Sequence, residues 1–249
     1  MENIKLNGAK NIRDLGGMPV AGGVIKQGKI LRASHLNAVS DSDLDTLILK
    51  YRLRTVIDLR NAAEKKEKPD RVLPDFNYLE MPVFDSSVPG LSHESKQDLN
   101  GIPDMRELYE YVMNSPCLDN LADVVRYIVK MDDDNFSVLY HCTEGKDRTG
   151  MVTALLLLVL GAGRKEILED YLFTNTVNKK KAVKYFLLVR IFKHNKTAAK
   201  KVYRVFLAQE EYLNEVFKAV DKIGQENFIR NTLRLTEDEI EAFRRKVIE

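Results

Sequence analysis

The residues best suited to chemistry form one unbroken run, His141-Cys142-Thr143-Glu144-Gly145-Lys146-Asp147-Arg148-Thr149-Gly150. An apolar, strand-like stretch (136–141) leads into it, and a strongly apolar, helix-like stretch (151–160) follows. A strand–loop–helix unit aims the loop N–H groups and the helix N-terminus at one point, which attracts anions, phosphate above all. Gly145 lets the backbone curl without a side-chain clash, and such a nest of N–H groups is a phosphate-shaped cup. Cys142 stands at its base, where the positive field favours the nucleophilic thiolate. Arg148 closes the ring with a planar fork that can take two phosphate oxygens together. Lys146 adds a point charge, and the Thr149 hydroxyl is placed to donate to the sulfur. His141 is expected to orient the loop by hydrogen bonding to its backbone. A bound phosphate would then lie against Thr143, Glu144, Gly145, Lys146, Asp147 and Arg148. The reaction this implies is in-line attack of sulfur on phosphorus, giving a phosphocysteine that water hydrolyses. It calls for no metal and no cofactor. The other cysteine, Cys117, sits at a Ser-Pro helix start without such surroundings and reads as structural.

The leaving oxygen needs a proton, so a carboxylic acid should stand near the cup. There are two candidates. Asp147 lies inside the loop beside Arg148, and Asp85 follows a strand-like segment on a Ser-, Gly- and Pro-rich connection (85–103). An alternative role for Asp147 is to anchor Arg148 or Lys146.

The elements that must position these groups are legible as a pattern. Segments 54–60, 78–83 and 136–141 have the apolar, largely β-branched or aromatic content of buried strands. Segments 41–50 and 118–131 have helical spacing. Strands alternating with helices predict an α/β fold with a mostly parallel central sheet flanked by helices. Beyond Gly163 the chain is expected to be helical, over 165–173, 179–193, 198–207, 211–223 and 237–248. The last opens on the capping box Thr236-Glu237-Asp238-Glu239. With 249 residues, 44% hydrophobic and 31% charged, the chain suits one globular domain spanning 1–249. A net charge of +2 points to no nucleic-acid partner. Two cysteines are too few for a disulfide framework and suit a reducing compartment. The first ten residues are polar, unlike a signal peptide, and 151–160 is too short to cross a bilayer. The cytoplasm is the expected location, with export lacking a classical signal left open. The sequence sets no oligomeric state.

At this point a family resemblance is plain. The loop resembles that of protein tyrosine phosphatases, and its Gly145-Lys146-Asp147-Arg148-Thr149-Gly150 form resembles the bacterial tyrosine/dual-specificity group. Asn11-Ile12-Arg13-Asp14-Leu15-Gly16-Gly17, Ile30-Leu31-Arg32-Ala33-Ser34, and Val56-Ile57-Asp58-Leu59-Arg60 with Glu64 and Pro69-Asp70 resemble further signatures of that group. So do Asp170-Tyr171 and the final Leu235-Thr236 helix. The resemblance implies a tyrosine-phosphatase-like fold and activity on phosphotyrosine. It extends in some members to phosphoserine, phosphothreonine or phosphoinositides, and it favours Asp147 as the acid. Glu144 departs from it, because many relatives carry a small or neutral residue there. A carboxylate at the rim would weaken phosphate affinity or select basic substrate neighbours. The plain reading of Arg13, Asp14, Gly16 and Gly17 is a turn that pins the N-terminus. Asp58 and Arg60 suit either loop orientation or a local ion pair. His35, His93 and His194 lack metal-ligand spacing. A phosphoinositide phosphatase is the alternative function. A non-catalytic phosphopeptide-binding module fits less well, because both Cys142 and Arg148 are present.

The segment 171–209 contains no Asp or Glu, yet carries ten Lys or Arg between residues 179 and 204. Apolar residues recur among them, so two helices broken near His194-Asn195 should form a hairpin over 178–206 with one apolar and one cationic face. The expected roles are a solvated surface hairpin or a lid that shields Cys142 and meets anionic substrates or membrane surfaces.

Overall fold

The computed structural model describes residues 2–71, 76–84, 104–131, 137–192 and 194–249. Its main sheet contains β1 (Glu2–Asn3), β2 (Arg13–Asp14), β5 (Ile30–Ala33), β6 (Thr55–Asp58), β7 (Asn77–Glu80) and β8 (Val138–His141), in the order β1-β2-β5-β8-β6-β7. The four longer strands run parallel, and β1 and β2 add an antiparallel edge beside β5. A separate hairpin joins β3 (Pro19–Val20) to β4 (Gly23–Val24).

Alternation along the strands feeds two cores. Val138 and Tyr140 of β8 face one, built largely by α4 (Cys117–Lys130), α5 (Asp147–Val159), α8 (Glu210–Ile223) and α10 (Glu237–Val247). Leu139 faces the other, with Val56, Leu31 and the helical segment that begins as α1 (Asp41–Asp45) and continues as a π-turn over Thr46–Lys50. Every residue of α5 is buried. Its apolar run is therefore that of a helix enclosed on all sides, and its N-terminus is fixed against the sheet.

The short helices α2 (Ala62–Glu67), α3 (Met105–Met113) and α9 (Gln225–Asn227) complete the flanks. One expectation changes. The helices foreseen over 165–173 and 179–193 are a single helix, α6 (Arg164–Phe192). The polar stretch between them looked like a break because Thr and Asn are poor helix formers. In the fold these side chains bind neighbours instead. Asn175 brackets the backbone of Ala208, its Nδ2 donating to the carbonyl at 2.9 Å and its Oδ1 accepting the N–H at 2.8 Å. Asn178 Nδ2 donates to the Phe206 carbonyl at 3.2 Å.

After α6 the chain reverses at His194, whose φ is +47°, and Asn195 caps α7 (Lys196–Phe206) by accepting the Ala198 N–H. Among the described residues no helix is long and apolar enough to cross a membrane.

Candidate active site

The loop begins where β8 ends. His141 lies level with Ala33 of β5 and Asp58 of β6, so residues 142–146 emerge at the carboxyl edge of the parallel strands, where ligands of α/β sheets bind. Gly145 adopts a φ of +63°, and a Cβ there would lie 2.5 Å from the Ala33 carbonyl oxygen. Only glycine fits both the left-handed backbone and this close approach. Asn11 Nδ2 donates to the carbonyls of Glu144 (3.1 Å) and Gly145 (2.8 Å), and Arg32 Nη2 donates to Gly145 at 2.9 Å. These bonds tie the carbonyls of Glu144 and Gly145 to side chains of the N-terminal segment and β5. Cys142 is buried at the base of the loop.

A buried ion cluster stands behind the loop. Arg13 Nε donates to Asp170 Oδ1 at 2.7 Å, Arg13 Nη2 to the Asp170 carbonyl at 2.7 Å, and Arg32 Nη1 to Asp170 Oδ2. All three side chains are essentially sealed from solvent. Burial alone would raise the Asp170 carboxyl, but the Arg13 and Arg32 charges hold it below the usual carboxylate range. Arg13 therefore does more than pin a turn. That task falls to Asp14, which accepts the N–H groups of Gly16 (2.9 Å) and Gly28 (2.6 Å).

Arg148 is held from the opposite side. Its Nη1 and Nη2 donate to Glu64 Oε2 and Oε1 at 2.7 and 2.6 Å, a bidentate pair, and Nη2 reaches Thr143 Oγ1 at 3.3 Å. The Phe84 ring lies 5.5 Å from the guanidinium carbon. Burial works against the charge, yet Glu64 and then the Cys142 sulfur push Arg148 above its ordinary value. Glu64 is also the third helical residue of α2 and closes a capping box with Asn61. The sequence marks this residue only through the family resemblance. Its grip on Arg148 appears only in three dimensions.

His141 is buried, with Nε2 at 3.0 Å from Asp70 Oδ2 and Nδ1 at 3.4 Å from the Cys142 carbonyl oxygen. Asp58, Asp70 and His141 gather their ligand atoms closely. However, Arg60 Nη2 already engages Asp58 (2.7 Å) and Asp70 (2.8 Å), Tyr78 donates to both carboxylates, and the Leu36 N–H caps Asp70. The cluster is thus an ion-paired, hydrogen-bonded brace under the loop.

Burial would raise Asp70, but hydrogen bonding to His141, and then the His141 and Arg60 charges, bring it down to about 2. A depressed carboxylate stabilises the fold fully above its unfolded value, and that contribution is lost as pH falls toward the folded one. The stability gap between wild type and Asp70→Asn should therefore shrink by about 2 kcal/mol between about pH 4 and pH 2. Urea titrations of both proteins across that window measure it, and a gap that stays constant would place the acid sensitivity elsewhere.

Asp147 opens α5 and is nearly buried. Tyr109 donates to its Oδ1 at 3.0 Å, and the Tyr171 hydroxyl lies 2.8 Å from that of Tyr109. Burial, followed for both by the Asp147 charge, pushes the two phenols well above their ordinary value, so both stay protonated and can donate hydrogen bonds.

Lys146 is fully buried. Its Nζ donates to the Val205 carbonyl and lies 3.4 Å from that of Leu207 and 3.3 Å from Asp147 Oδ1. Its charge is spent on the end of α7. Glu144 Oε1 is paired with Lys181 of α6 at 2.6 Å, which neutralises the carboxylate at the rim. Thr149 Oγ1 is buried without a hydrogen-bond partner among the described residues, so its foreseen bond to the sulfur is not formed. Asp85 and His93 lie outside the described residues, as does the connection 85–103.

The groups that sequence reasoning left without a role are Glu64, Asp70, Arg32, Asp170, Tyr109 and Lys181. Four of them stand in stretches matching the family pattern, which was the available signal. Tyr109 carried none, and Lys181 stands out only as one of the hairpin's ten cations.

A model described as the tyrosine phosphatase family matches residues 4–249. A putative tyrosine-protein phosphatase of Cupriavidus necator is 32% identical over 176 residues, covering 68% of this chain and 61% of its own length. The triple specificity protein phosphatase PtpB of Mycobacterium tuberculosis is 29% identical over 194 residues, 69% of this chain and 68% of its own. The solved structure of TpbA from P. aeruginosa shares 14% identity across 76% of this chain and 87% of its own, with a TM-score of 0.35. The family match takes in the whole of the loop from Cys142 to Arg148, and the chain belongs to the tyrosine phosphatase family.

Proposed function

We propose that the protein hydrolyses phosphotyrosine in proteins through a phosphocysteine, with phosphoserine and phosphothreonine as further substrates. The observation that carries this reading is the placement of buried Cys142 at the carboxyl edge of the parallel strands, on the same short strand-to-helix connection as the Glu64-braced Arg148. In the first step the Cys142 thiolate attacks phosphorus, the phosphorus–oxygen bond to tyrosine breaks, and Asp147 gives its proton to the departing phenolate. In the second, Asp147 takes a proton from water as it attacks phosphorus. The phosphorus–sulfur bond breaks, releasing phosphate and restoring the thiolate. Arg148 holds two equatorial oxygens throughout, where charge develops.

Asp147→Asn tests the assignment of the acid. It should slow hydrolysis of substrates with poor leaving groups by about 100-fold or more and remove the basic limb of the pH–rate profile, while sparing good leaving groups. If Asp85→Asn produced that pattern instead, the acid would be Asp85.

A phosphoinositide phosphatase with the same chemistry is the second reading, and the exposed cations of α6 and α7 favour it. Rates on a phosphotyrosine peptide and on phosphoinositide vesicles separate the two. One phosphatase domain would span 1–249, with the hairpin 178–206 as a lid. Its latches would be the Lys146 contacts to Val205 and Leu207 and the Glu144–Lys181 pair. Deleting 178–204 with a short linker should speed peroxide inactivation of Cys142. Unchanged sensitivity in a folded protein would leave a plain surface hairpin. The two free cysteines suit the reducing cytoplasm.

A further inference from the structure

The inner face of α6 packs on α7 through a small core of Ala182, Val202 and Phe206, with Tyr185 stacked on Phe206. Its outer face is also apolar. Val183, Leu187 and Ile191 recur at four-residue spacing, one straight stripe on a helix, with Leu188 and Phe192 alongside. All five are exposed, Ile191 at 58% and Phe192 at 73%. They run out to the hairpin tip, and Phe192 stands about 16 Å along the helix beyond Lys181.

Exposed cations flank the stripe: Lys179, Lys180, Lys184 and Arg190 on α6, with Lys196, Lys200 and Lys201 on α7. No ion pair engages any of these seven among the described residues, and no acidic residue occurs from 171 to 209.

An apolar stripe with cations at its margins has a defined complement. A second copy of this surface would bury the stripe but press like charges together. An acidic protein would satisfy the cations but not five large apolar side chains standing proud of a convex helix. An anionic bilayer satisfies both. The apolar side chains enter the acyl boundary, while the lysine stems lie along it with their ammonium groups at the phosphates. We propose that the α6–α7 hairpin docks this protein on anionic phospholipid surfaces, with Leu187, Leu188, Ile191 and Phe192 inserted at the interface. The inference concerns the hairpin alone and does not depend on the chemistry at Cys142.

The chain has no tryptophan, so Phe192→Trp gives one reporter at the tip. The probes are vesicles of phosphatidylcholine alone and vesicles doped with phosphatidylserine. Only the doped vesicles should blue-shift the emission, and added salt should reverse the shift. In co-sedimentation, Leu187→Ser with Ile191→Ser should weaken binding by about tenfold or more. Lys180→Glu with Lys184→Glu should weaken it by at least about fivefold per charge. Each variant alters exposed side chains, and an unchanged thermal midpoint confirms its fold. An equal shift on neutral vesicles, or none on doped vesicles at low salt, would overturn the proposal. So would a concentration-dependent shift without vesicles, accompanied by dimers in sedimentation, since a second copy would then cover the stripe.

Discussion

Cys142→Ser is expected to lower turnover of a phosphotyrosine peptide by roughly 100,000-fold while leaving phosphate binding intact. The separation follows from the construction of the site. In the proposed site phosphate is bound by backbone N–H groups, and the loop is held by Gly145, Asn11 and Arg32 through main-chain contacts. Replacing sulfur by oxygen removes the nucleophile without disturbing these supports. Arg148 keeps its bidentate partner Glu64. Calorimetric titration with inorganic phosphate and an acid-quench trap for the phosphoenzyme provide the readouts. Wild type should show a covalent phosphoprotein and the variant none. A variant that retained even a hundredth of the activity would show that another group attacks phosphorus.

The largest loss of stability should come from a residue that touches no substrate. Asp170→Ala leaves the guanidiniums of Arg13 and Arg32 facing each other in a pocket with no access to water. Removing one partner of a buried charge cluster costs about 3–5 kcal/mol, a large share of the 5–15 kcal/mol that typically holds a domain together. Arg32 also supports the Gly145 carbonyl, so activity should fall before the protein unfolds. Urea midpoints quantify the loss, and a change below about 1 kcal/mol would mean that solvent reaches the arginines.

The candidate loop was legible because it is contiguous. Strand, cup and helix follow one another within about 25 residues, so type and spacing could be read directly. Its supports were not, because their partners are distant in the chain. Arg13 meets Asp170 across 157 positions and Arg148 meets Glu64 across 84. No periodicity encodes such pairs, and only the resemblance flagged the segments that hold them. The parallel sheet followed from apolar strands alternating with helices. The antiparallel edge did not, since β1 and β2 contribute two residues each, too few to show a period. The continuity of α6 was missed because local propensity favoured a break at Thr174–Asn178 that tertiary hydrogen bonds override. From sequence alone Lys146 and Glu144 are charges expected to face substrate. A single sequence could not show that the hairpin supplies Val205, Leu207 and Lys181 to occupy them.

The glycines of the loop differ in how they constrain sequence drift. At Gly145 the obstacles to a side chain are main-chain atoms, the carbonyl of Ala33 and the nitrogen of Ser34. Every residue type carries those atoms, so no second-site substitution can make room. At Gly150 the obstacle is the ring of Tyr171, 2.9 Å from where a Cβ would sit. That barrier belongs to one side chain and disappears with it. Position 145 is therefore closed along every mutational path, whereas position 150 is closed only while position 171 remains aromatic. In this chain the second glycine can be exchanged through a paired change at Tyr171, and the first has no such route.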